Sequence, residues 1–116
     1  MNNNLAGHLA ESTAQWFMRL KGYRIAAKNV VTGKGTHAGE VDFVAFRRHT
    51  LVFVEVKKRS SLDRAAYAIK PAQQQRIKNG AAAFLKRNPQ FMGYDVRFDA
   101  ILVKFPFTIE HIENAW

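Results

Sequence analysis

Two short apolar segments, separated by a four-residue polar stretch, constrain this chain more than anything else in it. Glu40-Val41-Asp42-Phe43-Val44-Ala45-Phe46 and Leu51-Val52-Phe53-Val54-Glu55-Val56-Lys57 are rich in β-branched and aromatic residues, and Arg47 to Thr50 lies between them. The pattern predicts an antiparallel hairpin. With Phe46 set opposite Leu51, Asp42 falls directly opposite Glu55, and Glu40 opposite Lys57. Side chains alternate between the faces of a strand. Asp42, Val44, Phe46, Leu51, Phe53, Glu55 and Lys57 therefore share one face, while Val41, Phe43, Ala45, Val52, Val54 and Val56 fill the other. Directly opposed residues have Cβ atoms about 5 Å apart, and opposed like charges destabilise the pair.

The hairpin thus sets two carboxylates side by side at one end of two otherwise apolar strands. Three things relieve such repulsion: a raised pKa on one acid, a bound cation, or a salt bridge to Lys57, two residues from Glu55 on the same face. A divalent metal suits best, because two carboxylates with backbone carbonyls and waters make the hard-oxygen site that Mg²⁺ accepts. Taken singly, each of these residues reads as the exposed end of a strand. The combination Gly-Glu-Val-Asp, apolar strand, Glu-x-Lys is far more specific.

The rest of the chain supplies the setting. Residues 5 to 21 predict a helix, with Leu5, Leu9, Trp16, Phe17 and Leu20 as its apolar stripe and Gly22 as a left-handed cap. Residues 23 to 31 read as a strand and 32 to 39, with three glycines, as a loop. A second helix is expected from about Ala72 to Arg87, opened by Pro71, stopped by Asn88-Pro89, and buried through Ile77, Ala81, Phe84 and Leu85. Residues 94 to 104 read as a last strand, and the tail from Pro106 has no assignment. The order α-β-β-β-α-β predicts an α/β domain with a mixed sheet flanked by helices. With 116 residues, one domain is expected.

Charge narrows the partners. Eighteen Lys and Arg against nine Asp and Glu give a net charge of +9, which attracts polyanions, most simply nucleic acid. Lys58, Arg59 and Arg64 flank the acidic pair and are the expected phosphate contacts. No apolar run approaches the roughly 18 residues of a membrane span. The polar start and early Glu11 do not read as a signal peptide. The absence of cysteine removes thiolate metal sites and cysteine nucleophiles, and fits a cytoplasmic protein. His8, His37, His49 and His111 show no metal-ligand spacing and read as surface or capping histidines; Trp16 reads as core, and Asp99 as structural.

At Gly39-Glu40-Val41-Asp42 and Phe53-Val54-Glu55-Val56-Lys57 the chain resembles the restriction-endonuclease-like, PD-(D/E)xK superfamily. More closely it resembles the small bacterial YraN-type family, related to Holliday-junction resolvases. The likeness extends through Gly7 and Glu11, Gly22-Tyr23, Asn29, Arg59, Arg76, Arg97-Phe98-Asp99 and the closing Glu110-His111-Ile112-Glu113-Asn114-Ala115. It implies a metal-dependent nuclease fold. Asp42 and Glu55 would be ligands to Mg²⁺ or Mn²⁺, assisted by the Val56 carbonyl, and Lys57 would be the catalytic lysine. Glu11 would match an acid contributed by the first helix, although it lies off that helix's apolar stripe. Where the family commonly has a lysine in the second helix this chain has Gln73. Some superfamily nucleases place a glutamine there beside the site, so Gln73 is expected among the nucleic-acid contacts; an edge-of-core glutamine is the competing expectation.

The resulting expectation is a cytoplasmic Mg²⁺- or Mn²⁺-dependent endonuclease for DNA, with branched or repair-intermediate DNA as substrate. The competing expectation is a non-catalytic nucleic-acid-binding module that keeps the fold and the charge. The resemblance also allows a homodimer, though no heptad in the sequence points to one.

Overall fold

The computed structural model describes residues 3–32, 39–58, 69–105 and 108–116, the first four of them by backbone only. The elements follow in the order α1 (Asn3–Leu20), β1 (Arg24–Thr32), β2 (Gly39–Arg47), β3 (Thr50–Lys58), α2 (Pro71–Arg87), β4 (Asp95–Lys104) and β5 (Thr108–Ile112), with a 3₁₀ turn at Pro89–Phe91. The five strands form one sheet whose spatial order is the chain order. Neighbours are antiparallel except β3 and β4, which run parallel. Parallel neighbours need a long crossover, and α2 lies within it. This mixed sheet with a helix on each face is compatible with a restriction-endonuclease-like fold. It carries one strand more than expected: β5 occupies the tail that had no assignment, because its Thr-Ile-Glu-His-Ile is too short and too polar to read as a strand by itself.

The hairpin register is the predicted one. Phe46 pairs with Leu51, Ala45 with Val52, Val44 with Phe53 and Phe43 with Val54. The two faces feed two cores. One holds Phe43, Ala45, Val52 and Val54 with Ala10, Ala14 and Met18 of α1. The other holds Val44, Leu51 and Phe53 with Ile77, Ala81 and Phe84 of α2. Val41 departs from the alternation and packs in the α2 layer. There the start of β2 passes directly against the middle of α2, so that a Cβ on Gly39 would overlap the Gly80 backbone, and one on Gly80 would press on Val41 Cγ2 at 3.0 Å. Two glycines facing each other allow that approach.

Helix α1 ends as predicted. Gly22 adopts a left-handed φ of 96°, its N–H donates to Arg19 O, and the Tyr23 N–H reaches back to Met18 O. These are the two bonds of a Schellman cap. The buried stripe, however, is not the predicted one. Ala10, Ala14 and Met18 face the sheet, while Leu9, Trp16 and Leu20 are exposed, Trp16 by 63%. Both stripes have helical spacing, and the sheet chooses between them by volume. Its α1-side surface is already filled by Phe43, Tyr23 and Ile101, and alanines let the helix lie close against it. Trp16 is accordingly not a core residue.

Candidate active site

The site arises where the hairpin comes apart. β2 and β3 are paired only as far as Phe43 and Val54. Beyond that rung, Val41, Glu40 and Gly39 pair with β1, and Glu55 to Lys58 pair with Ala100 to Val103 of β4. Asp42 and Glu55 stand at the fork. The Val56 N–H has lost its partner strand and donates instead to Asp42 Oδ2 at 2.7 Å. The expected opposition of the two acids is therefore met as a contact between side chains rather than as a rung of the ladder. The pairing of Glu40 with Lys57 is not formed: with the strands parted, Glu40 takes Arg76 of α2 at 3.1 Å.

Three layers contribute to the fork. From β3, Lys57 Nζ lies 3.4 Å from Glu55 Oε1. From α2, Gln73 bridges the two: its Oε1 accepts from Lys57 Nζ at 3.0 Å, and its Nε2 donates to Glu55 Oε1 at 3.1 Å. From α1, Glu11 lies near enough to Asp42 for the two carboxyls to shift one another. Glu11 is half-buried there rather than solvated, as its position off the predicted stripe implied. Gln73 thus lies beside the site, bonded to both Glu55 and Lys57. Lys58 is exposed at the end of β3. Arg59, Arg64 and His37 lie outside the described residues.

The electrostatics are strained in one direction. Burial, and then the charge of Asp42, push the Glu55 carboxyl up to about 8, against the pull of Lys57. Burial also raises Asp42, opposed by the Val56 N–H and by bonds to Glu55 and Glu11. Burial and Asp42 raise Glu11 as well. Asp42 and Glu55, with Glu11 beside Asp42, thus outnumber the one ammonium group of Lys57, in a chain whose overall charge is +9. Protons or a cation must make up the difference. The donor set fits a hard divalent ion: carboxylate oxygens of Asp42 and Glu55, with a main-chain carbonyl such as that of Val56 within the same strand. Among the described residues no three acidic or histidine side chains converge to hold a metal by themselves. The remaining positions would fall to the main chain and to water.

A second polar cluster lies on the α1 side of the sheet, and the sequence did not disclose it. Asp99, fully buried, accepts from Arg97 Nε at 2.8 Å and Nη2 at 2.9 Å, and from the Asn114 N–H at 3.0 Å. His111 Nε2 lies 2.7 Å from the same carboxylate, and its Nδ1 lies 2.8 Å from Lys21 Nζ. An ammonium can only donate, so Nδ1 accepts and Nε2 carries the proton given to Asp99. His111 is consequently buried, not a surface residue. Burial by itself would raise Asp99, but His111, Arg97 and the Asn114 N–H hold it below the usual carboxylate range. Every partner in this group is satisfied, and it ties β5 and the tail to β4. The signal was present as Arg97-x-Asp99 and His111-x-x-Asn114, yet only the pairing of β4 with β5 joins the two.

No helix among the described residues is long and apolar enough to cross a membrane. The family model described as Uncharacterised protein family UPF0102 matches residues 10–103. A UPF0102 protein of Paramagnetospirillum magneticum is 49% identical over 111 residues, covering 95% of this chain and 85% of its own. One from Rhodopseudomonas palustris strain BisB5 is 46% identical, covering 95% and 81%, and one from Nitrobacter winogradskyi is 49% identical, covering 84% and 80%. The chain belongs to the UPF0102 family.

Proposed function

We propose that this UPF0102 protein is a metal-dependent endonuclease of the restriction-endonuclease-like superfamily, hydrolysing phosphodiester bonds in DNA, with branched or repair-intermediate DNA as its substrate. The observation that carries the reading is the fork itself. Asp42, Glu55 and Lys57 meet at the end of two parted strands, with more acid than base, in a chain that is otherwise strongly cationic. A structural ion pair would need one acid and one base; the additional carboxylates call for a cation.

Asp42 and Glu55 would hold Mg²⁺ or Mn²⁺ with the Val56 carbonyl. Bound there, a divalent ion supplies Lewis-acid chemistry: it polarises a phosphoryl oxygen and lowers the pKa of water. The chain's own groups do the rest. Lys57 presents its ammonium to the negative charge that develops on the phosphate. Gln73, bonded to both Lys57 and Glu55, fixes the position of one relative to the other. Glu11, beside Asp42, is the third candidate carboxylate. Lys58, with Arg59 and Arg64 in the segment that follows, would hold the backbone of the nucleic acid. The family and fold fit this assignment, but function rests on the site and not on the fold.

The test is incubation of the full chain with plasmid and four-way-junction DNA, with EDTA or with Mn²⁺, beside calorimetric titration of Mn²⁺ into wild type and Asp42→Asn. Cleavage that needs Mn²⁺ and is lost in the variant, together with a saturable heat in wild type alone, is the expected result. Salt-dependent DNA binding with neither cleavage nor metal binding would leave the non-catalytic module instead.

A further inference from the structure

The outer face of α1 carries three of the exposed large apolar side chains on one helix: Leu9, Trp16 and Leu20. Leu9, Thr13, Trp16 and Leu20 run along it at intervals of four, three and four residues. Over these three turns this is the spacing of a coiled-coil seam, too short to read as a heptad repeat in the sequence. Leu9 is 40% exposed and Leu20 84% exposed. The hydroxyl of Thr13 is bonded to the Leu9 carbonyl at 2.7 Å, so the methyl is the group left to offer. None of these four residues is charged; the guanidinium of Arg19 lies over the Trp16 ring at 5.1 Å.

Two features choose the occupant. The first is charge. Residues 71–87 of α2 carry four basic side chains and no acid, as a nucleic-acid surface would, whereas residues 3–20 of α1 carry only Glu11 and Arg19. On a chain of net charge +9, copies repel one another over most of their surface, and this uncharged strip is where they can approach. The second is symmetry. The intervals four-three-four read the same from either end. Two antiparallel copies of α1, related by a twofold axis passing between Ala14 and Gln15, set Leu9 of one against Leu20 of the other, and Trp16 against the small Thr13. A twofold interface needs such self-complementarity, in which residue i meets j and j meets i. A parallel pair would instead crowd Trp16 against Trp16.

We infer that the Leu9-Thr13-Trp16-Leu20 face of α1 is a homodimer seam, closed by the antiparallel α1 of a second copy. The seam is about 16 Å long at 1.5 Å per residue. That is short for an interface of standard size, so the association is weak and concentration-dependent. Glu11 lies outside the seam, and the inference does not rest on the nuclease reading.

The experiment uses the full metal-free chain in sedimentation velocity over a wide concentration range. Wild type should move from monomer to dimer, and Trp16→Ser should weaken self-association at least about tenfold, since central aromatic anchors carry most of such an interface. Because Trp16 is exposed, the variant's circular dichroism and Tm should match wild type at concentrations where wild type is monomeric, which separates lost pairing from lost folding. The chain has no cysteine of its own, so the double variant Leu9→Cys/Leu20→Cys reports the register: oxidation should give a covalent dimer, and Leu9→Cys alone should give far less. A wild type that stays monomeric at the highest concentration overturns the inference. So does a dimer untouched by Trp16→Ser, or a Trp16→Ser variant that loses DNA retention while its sedimentation is unchanged.

Discussion

Replacing Asp42 by Asn separates the two roles this side chain holds at the fork. The amide keeps an oxygen for the Val56 N–H and removes the charge beside Glu55. In the metal-free chain Glu55 ionises near 8, against an ordinary 4.5. Its folded value lies above its unfolded value, so its stabilising contribution is complete below about pH 4.5 and is lost as the pH rises through about 8. At about 1.4 kcal/mol per pKa unit the full displacement corresponds to roughly 5 kcal/mol. Burial is the larger cause and Asp42 the second, so removing the charge returns only part of this, about 1–2 kcal/mol. Against that stands the exchange of a charged acceptor for a neutral one at Val56, a loss of about 1 kcal/mol. Asp42→Asn should therefore be slightly less stable than wild type near pH 5 and as stable or more so near pH 9. The assay is urea unfolding across that range, in EDTA and again with Mn²⁺. Metal needs both acids ionised, so Mn²⁺ should stabilise wild type increasingly with pH and leave the variant unmoved. Wild-type stability that is flat from about pH 5 to 9, with no response to Mn²⁺, would refute the reasoning at its root.

Two further outcomes follow from other contacts. Arg97→Met removes the bidentate partner of the buried Asp99 carboxylate. An uncompensated buried charge costs about 3–5 kcal/mol, which at this size lowers Tm by roughly 10–20 °C. The deficit should shrink in acid, where Asp99 can protonate, and a shift of only a degree or two would show the cluster to be dispensable. Gln73→Ala releases Lys57 and Glu55 from their common bridge. By the measure of residues that orient metal ligands it should cost about 10–100-fold in Mn²⁺ affinity or cleavage, whereas weaker DNA binding at unchanged metal affinity would make Gln73 a nucleic-acid contact instead.

Local pattern carried most of the fold. Alternation set the Phe43–Val54 register correctly, because a slip of one residue would turn every apolar side chain of β2 and β3 to the wrong face. Gly22 and Asn88-Pro89 marked helix ends for reasons that act within a single turn. What failed depended on volume and on distance along the chain. Hydrophobicity proposed the Leu9-Trp16-Leu20 stripe, but only the filled surface of the sheet decides that the alanine stripe turns inward. β5 is a strand because β4 offers it an edge. At the site, Asp42, Glu55 and Lys57 were legible because they belong to one hairpin. Glu11 and Gln73 were reached only through the family resemblance and not through local pattern, since each joins a helix to a strand far away in sequence.

The fork also explains why the acids sit at the ends of the apolar runs rather than within them. A hairpin that stayed zipped past Phe43 would satisfy the Val56 N–H with main chain and would leave two opposed carboxylates with nothing between them. Parting the strands exposes that N–H, and a buried orphan donor costs about 1–3 kcal/mol. Asp42 supplies the acceptor at 2.7 Å. Its charge is then fixed in place by a backbone bond that any metal-free state also requires. Asp42→Ala would thus lose a structural bond together with a candidate ligand, and its loss of activity would say little. Asp42→Asn keeps the bond and removes the charge. Cleavage that survives in that variant would mean the acid serves the backbone alone, and the hydrolytic role of the fork would fall with it.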